Sequence, residues 1–161
     1  MNTMIKKFVD QEFMTEEQGK YIEDAIMRKE SIVVSGHRSS GTRNLLAALM
    51  AVAKKNFPSV QVRKAENLEK EAEFYLMAGM EGLEEIISDI IAKDSSSFVT
   101  IKEPEHPVSL MKILKKNFKN GKGIGIKVQT LECVKVDDVP KLDKIIEFHL
   151  TEEGKVKKTT F

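Results

Sequence analysis

Eight consecutive residues, Gly36-His37-Arg38-Ser39-Ser40-Gly41-Thr42-Arg43, hold the most chemically suggestive pattern in this chain. An apolar β-branched run, Ser31–Ser35, leads into them and a helix-forming stretch beginning Asn44-Leu45-Leu46-Ala47 leaves them. The two glycines stand at G-x-x-x-x-G spacing, the pattern of a strand–loop–helix whose backbone N–H groups and helix N-terminus cradle phosphate. In a loop that works on nucleoside triphosphates, the next two residues are a lysine and a serine or threonine. The lysine reaches the β- and γ-phosphates, and the hydroxyl holds Mg²⁺. Here those positions carry Thr42 and Arg43. The backbone can still attract an anion, so a phosphate, a sulfate or a weakly bound nucleotide is the expected occupant. Arg38 supplies positive charge inside the loop, while Arg43 cannot do a hydroxyl's work on magnesium. No resident cofactor is expected.

The remaining reactive residues form no second constellation. His37, His106 and His149 share no spacing with one another or with Cys133 that suggests zinc, and no metal site is expected. His37 is a candidate contact for a bound anion, and Ser39 and Ser40 beside it are loop formers first. Lys112, Lys115, Lys116, Lys119, Lys122 and Lys127 run without an acid between His106 and Leu131. That run reads either as a solvated face or as a contact surface for nucleic acid, anionic lipid or an acidic partner. Phe118 is its one aromatic residue, so base stacking has little support. Acid gathers in the middle third, at Glu66, Glu69, Glu71, Glu73, Glu81, Glu84, Glu85 and Asp89. Placed on different faces, the two patches would favour head-to-tail self-association.

The elements that must position these groups follow from pattern. The chain has 161 residues, 41% hydrophobic and 32% charged, which describes a globular protein with a real core. The formal net charge of +1 gives no global attraction to nucleic acid or membrane. One cysteine excludes an intrachain disulfide and fits a reducing compartment. No apolar run is long enough to span a membrane and no export signal is read, so a cytoplasmic location is expected. A single domain over residues 1–161 is expected, with 1–14 as a lead-in segment.

Thr15-Glu16-Glu17-Gln18 is a capping-box pattern and opens a helix. Strands are predicted at Ser31–Ser35, Ser59–Arg63, Phe74–Ala78 and Ser97–Ile101, and helices over Thr42–Asn56 and through Leu83, Ile86, Ile87, Ile90 and Ile91. The acidic segment Ala65–Glu73 reads as helix-prone. Pro107 suits the first turn of a helix that stops near Gly121. Strands follow at Ile124–Gln129, Leu131–Val136 and Ile145–Leu150, and Gly154 turns Lys155–Thr160 back as a hairpin partner. Strands alternating with helices, then strands alone, predict a mainly parallel α/β sheet with helices on both faces and an antiparallel C-terminal hairpin.

In this order the chain resembles the traffic ATPases that power type II and type IV secretion and pilus assembly, which have a RecA-like P-loop NTPase core. The helix-then-strand entry from Thr15 to Gly36 is similar to the family's approach to its Walker A loop. Arg43-Asn44-Leu45-Leu46-Ala47-Ala48-Leu49 is similar to Lys-Thr-Thr-Leu-Leu-x-Ala-Leu. Ala65-Glu66-Asn67 sits where the family has Ile-Glu-Asp, and Ala78-Gly79-Met80-Glu81-Gly82 where it has Gly-Glu-x-Arg-Gly. Phe98-Val99-Thr100-Ile101-Lys102 stands at the family's Thr-x-His box, and Lys144–Leu150 at its closing hairpin. The departures run one way. Thr42 replaces the phosphate lysine, Arg43 the magnesium hydroxyl, Gly79 the Walker B glutamate and Lys102 the box histidine, and the segment from Glu66 to Gly79 is short for the family.

The resemblance therefore implies a three-layer RecA-like fold with a degenerate loop, non-catalytic, binding protein partners that are either itself or an active secretion-type ATPase. Glu66 is the one acid it retains for catalysis if the chain is active. Two alternatives stand beside this. One is a divergent ATP or GTP hydrolase using Arg38 or Arg43 in place of the lysine, and the other is a nucleic-acid-binding module using the Lys112–Lys127 run.

Overall fold

A computed structural model describes all residues 1–161. Helices α1 (Thr3–Asp10) and α2 (Glu16–Met27) precede strand β1 (Ser31–Ser35), a 3-10 turn (Arg38–Ser40) and helix α3 (Thr42–Asn56). Then come β2 (Ser59–Gln61), a second 3-10 turn (Ala65–Glu69), β3 (Phe74–Leu76), α4 (Leu83–Ala92), β4 (Ser97–Lys102) and α5 (Leu110–Lys119). Three strands close the chain: β5 (Lys127–Val136), β6 (Val139–Leu150) and β7 (Val156–Thr160).

The seven strands form one sheet in the order β2-β3-β4-β1-β5-β6-β7. β1 lies in the middle, parallel to β4 on one side and to β5 on the other. β5, β6 and β7 pair antiparallel. The expected mainly parallel sheet with an antiparallel C-terminal edge is therefore the observed one.

Residue parity decides what each face of the sheet meets, because successive strand side chains point to opposite sides. Ile32 and Val34 of β1, Phe74 and Leu76 of β3, and Val99 and Ile101 of β4 join a core with α1, α2 and α3. Val33, Tyr75 and Phe98, one position out of phase, join the core under α4 and α5. Strands buried on both faces read as unbroken apolar runs, which is how Ser31–Ser35 looks in the sequence.

Local signals held where a side chain completes them. Thr15 Oγ1 accepts from the Gln18 amide at 3.0 Å and Gln18 Oε1 accepts from the Thr15 amide at 2.9 Å, closing the capping box on α2. The Ala65–Glu73 segment is not a helix beyond the 3-10 turn Ala65–Glu69, since Leu68 is its one buried residue and offers no apolar stripe. The strands expected at Ile124–Gln129 and Leu131–Val136 are one continuous β5, and β6 begins at Val139, six residues before the expected Ile145. Asp137 and Asp138, both at positive φ, make the tight turn between them. α5 starts after Pro107, with Ser109 as its N-cap.

Candidate functional site

In an open α/β sheet, ligands gather at the carboxyl ends of the strands where the strand order reverses. Here that point is the end of β1, between β4 and β5. The loop 36–41 leaves β1 there, and the tips of β3 and β4 lie on the same edge.

Gly36 has φ +147°, and a Cβ on it would lie 2.7 Å from the Cys133 carbonyl oxygen, so both its conformation and its surroundings require glycine. Gly41 is left-handed at φ +77° and precedes the first residue of α3. A Cβ there would lie 3.1 Å from the Phe13 ring and 3.3 Å from Pro140, so the end of the lead-in segment and the β5–β6 hairpin wall one side of the loop. The Leu142 amide donates to the Phe13 carbonyl at 2.8 Å and fixes that wall.

Within the loop, part of the hydrogen-bonding capacity is spent internally. The Ser39 amide donates to His37 Nδ1 at 3.2 Å, and the Ser40 amide donates to the His37 carbonyl at 2.9 Å. His37 Nδ1 also lies 3.0 Å from Ser39 Oγ. His37 is thus the cap of the 3-10 turn Arg38–Ser40. Ser40 is buried, while His37, Arg38 and Ser39 are exposed. The amides of the first turn of α3 have no partner inside the helix. α3 has no side-chain cap, and its first helical hydrogen bond to a loop acceptor is Leu45 to the Gly41 carbonyl. An N-terminus with no side-chain cap on a 15-residue helix makes an electropositive end.

The two positions after Gly41 point in opposite directions. Thr42 is fully buried, and its Oγ1 has no hydrogen-bond partner. Its methyl carbon would lie 3.3 Å from a Cβ at Gly36, so Thr42 packs beneath the loop. Arg43 reaches outward along the strand tips to Glu103, just past β4. Its Nε donates to Oε2 and its Nη2 to Oε1, both at 3.2 Å. The Glu103 side chain is 1% exposed and that of Arg43 52%. Two parallel N–H···O bonds to a buried carboxylate are a strong, geometrically specific pair.

Gly79, just past β3, completes this cluster. A Cβ on it would lie 2.6 Å from His106 Cδ2 and 2.7 Å from Glu103 Oε1. The turn from Glu103 to His106, closed by the His106 amide donating to the Glu103 carbonyl at 3.0 Å, folds the acid and the imidazole against that glycine. Glu103 and His106 share this edge, and the sequence does not single them out as a pair. The available signal was the charged, proline-bounded run Lys102-Glu103-Pro104-Glu105-His106-Pro107 following a predicted strand.

Other sequence candidates sit elsewhere. Glu66 is exposed on the 3-10 turn between β2 and β3, and β2 is the sheet edge, three strand spacings or about 14 Å from β1. Cys133 is buried, and burial pushes its thiol up to about 12, so it carries no thiolate at neutral pH. His149 lies in β6 opposite Lys127 of β5. No group of three or more His, Cys, Asp or Glu residues is arranged to hold a metal ion.

The lysine run is divided. Lys112 and Lys116 line a cleft of about 490 Å³ together with Glu81, Glu84, Glu85 and Glu105. Lys122 Nζ lies 3.8 Å from Asp94. Glu84 and Glu85 of α4 and Lys112 and Lys116 of α5 therefore share one cleft. Glu73, from the rest of the acidic third, pairs with Lys29.

No family model and no curated protein matches this chain. Among solved structures it is similar to the VirB11 ATPase from the Brucella suis type IV secretion system, determined in complex with sulphate. The TM-score is 0.52 at 14% sequence identity, over 90% of this chain and 56% of that one. The likeness is one of fold, and this chain spans little more than half the length of that neighbour. No helix is long and apolar enough to cross a membrane.

Proposed function

We propose that this chain is a non-catalytic P-loop domain of the secretion-ATPase type, a scaffold or regulatory subunit that binds protein partners and holds anions weakly. The observation that carries the reading is the fate of the two residues after Gly41. One is buried beneath the loop and the other is committed to Glu103. Phosphoryl transfer depends on positioning and electrostatic stabilisation of the transferred group. A threonine without access to the loop's mouth supplies neither the lysine's charge nor its reach. The uncapped N-terminus of α3 and its dipole support residual affinity for phosphate or sulfate.

The alternatives have less behind them. Arg43 is held by a buried acid, which leaves Arg38 as the uncommitted loop cation for a hydrolase. Two lysines of the nucleic-acid reading, Lys112 and Lys116, are shared with acids in one cleft, and Lys122 lies near Asp94.

Phosphate release from ATP and GTP, measured with the wild-type chain and Gly41→Val, tests the catalytic half. Both proteins are expected to stay at background, and release by the wild type that Gly41→Val removes would overturn the reading. Sedimentation of the chain alone and mixed with an active secretion-type ATPase tests the scaffold half. Association in one of the two is expected, and a non-interacting monomer in both would sink it.

A further inference from the structure

A P-loop ATPase fold implies a divalent cation at one place, between the hydroxyl at the second position after the loop and an acid at the tip of β3. The donor set here does not fit that ion. The hydroxyl position is Arg43 and the β3 tip is Gly79, where even a methyl group would collide with Glu103 Oε1 and His106 Cδ2. Yet the space is not empty of charge. Glu103 comes across from the tip of β4, is turned back by the 103–106 turn, and lays its carboxylate in the volume a β3-tip side chain would take. Opposite it stands Arg43, bonded through both Nε and Nη2.

We propose that the Arg43 guanidinium is the resident cation of this loop, standing with Glu103 where a divalent metal would bridge hydroxyl and acid, and that the site is closed to Mg²⁺. This rests on the P-loop reading above. Two physical points carry it. Mg²⁺ demands near-octahedral oxygen ligands at about 2.1 Å, and the one buried carboxylate in reach has both oxygens engaged by N–H groups. A second cation beside an immobilised arginine is repelled as well as unligated. Glu103 takes Nε and Nη2, and half of the Arg43 side chain remains exposed, so its remaining N–H donors are not spent on that carboxylate. A phosphate arriving there would meet a fixed guanidinium in place of a metal.

The test uses Mn²⁺ alone, without nucleotide, on the full chain, followed by the amplitude of its free-ion electron paramagnetic resonance signal. Wild type is expected to leave the signal at its buffer value. Arg43→Ser, which frees Glu103 and restores a hydroxyl, is expected to bind Mn²⁺ and reduce the signal, and Arg43→Ser with Glu103→Gln to lose that binding. Wild-type binding abolished by Glu103→Gln, or a folded Arg43→Ser that leaves Mn²⁺ free, would overturn the proposal. Should Arg43→Ser not fold by circular dichroism, the urea midpoint of the wild type in EDTA and in Mg²⁺ decides instead. Coincident midpoints are expected, and a rise in Mg²⁺ overturns it, because an ion bound to the native state must stabilise it. Failure of the non-catalytic reading would show as phosphate release in the nucleotide assay, which this metal-only series does not touch.

Discussion

Gly79 has an ordinary backbone, so its identity is set by what crowds it. A methyl group there has no void to enter, since the nearest atoms are an imidazole carbon and a carboxylate oxygen that is already bonded to Arg43. Overpacking of this kind costs about 1–3 kcal/mol. Gly79→Ala is expected to lower the urea unfolding free energy by that amount, and an unchanged midpoint would show that the 103–106 turn yields freely. Much of this was invisible in the sequence. The spacing of Gly36 and Gly41 was legible because it is local. The partnership of Arg43 with Glu103 joins residues sixty positions apart, and nothing in Lys102-Glu103-Pro104-Glu105-His106 separates the buried glutamate from the solvated one.

α2 is joined to β5 and β6 by polar groups as well as by its apolar face. Tyr21 donates to Gln129 Oε1 at 2.8 Å, and the Gln129 amide donates to Glu30 at 2.9 Å and to Glu147 at 3.1 Å. Arg28 closes the group with two bonds to Glu30. Burial alone would raise the Glu30 carboxyl, but hydrogen bonds from Arg28 and Gln129 outweigh it and hold Glu30 below the usual carboxylate range. A carboxyl lowered on folding stabilises the native state above its unfolded pKa of about 4.3. That contribution fades as pH falls through the lower folded value. The acid limb of a urea-midpoint profile is therefore expected to flatten in Glu30→Gln, whereas superimposable limbs would show that Glu30 plays no part. Elements with periodic apolar residues were readable from the chain, α4 above all. The β5–β6 turn was not, because Val136, Val139 and Pro140 around the two aspartates hide a hairpin that rests on backbone sign alone.

Across the molecule, charge is interleaved. Lys112 and Lys116 look into a cleft of glutamates, and Lys122 lies near Asp94. Phosphate neutralisation needs several cations on one track, and each contact made is paid in salt sensitivity. We expect no shift of short duplex DNA or single-stranded RNA in low-salt electrophoresis. Retention that weakens steeply with added salt would reinstate the lysine run as a binding surface. The net charge of +1 hinted at this balance, but only the packing of α4 beside α5 shows that acid and base are neighbours.

The place of β1 at the centre of the sheet also fixes a timetable. Its neighbours arrive late: the hydrogen bond from the Phe98 amide to Ser31 Oγ already spans sixty-seven positions, and β5 follows later still. A growing chain must therefore carry an apolar strand with both edges bare until β4, which ends at Lys102 of 161 residues, exists. Distant pairings of this sort slow assembly and leave early fragments sticky. Shortened chains that end before Ser97 would keep every residue from Gly36 to Arg43 and lack both strands that hold β1 in the sheet.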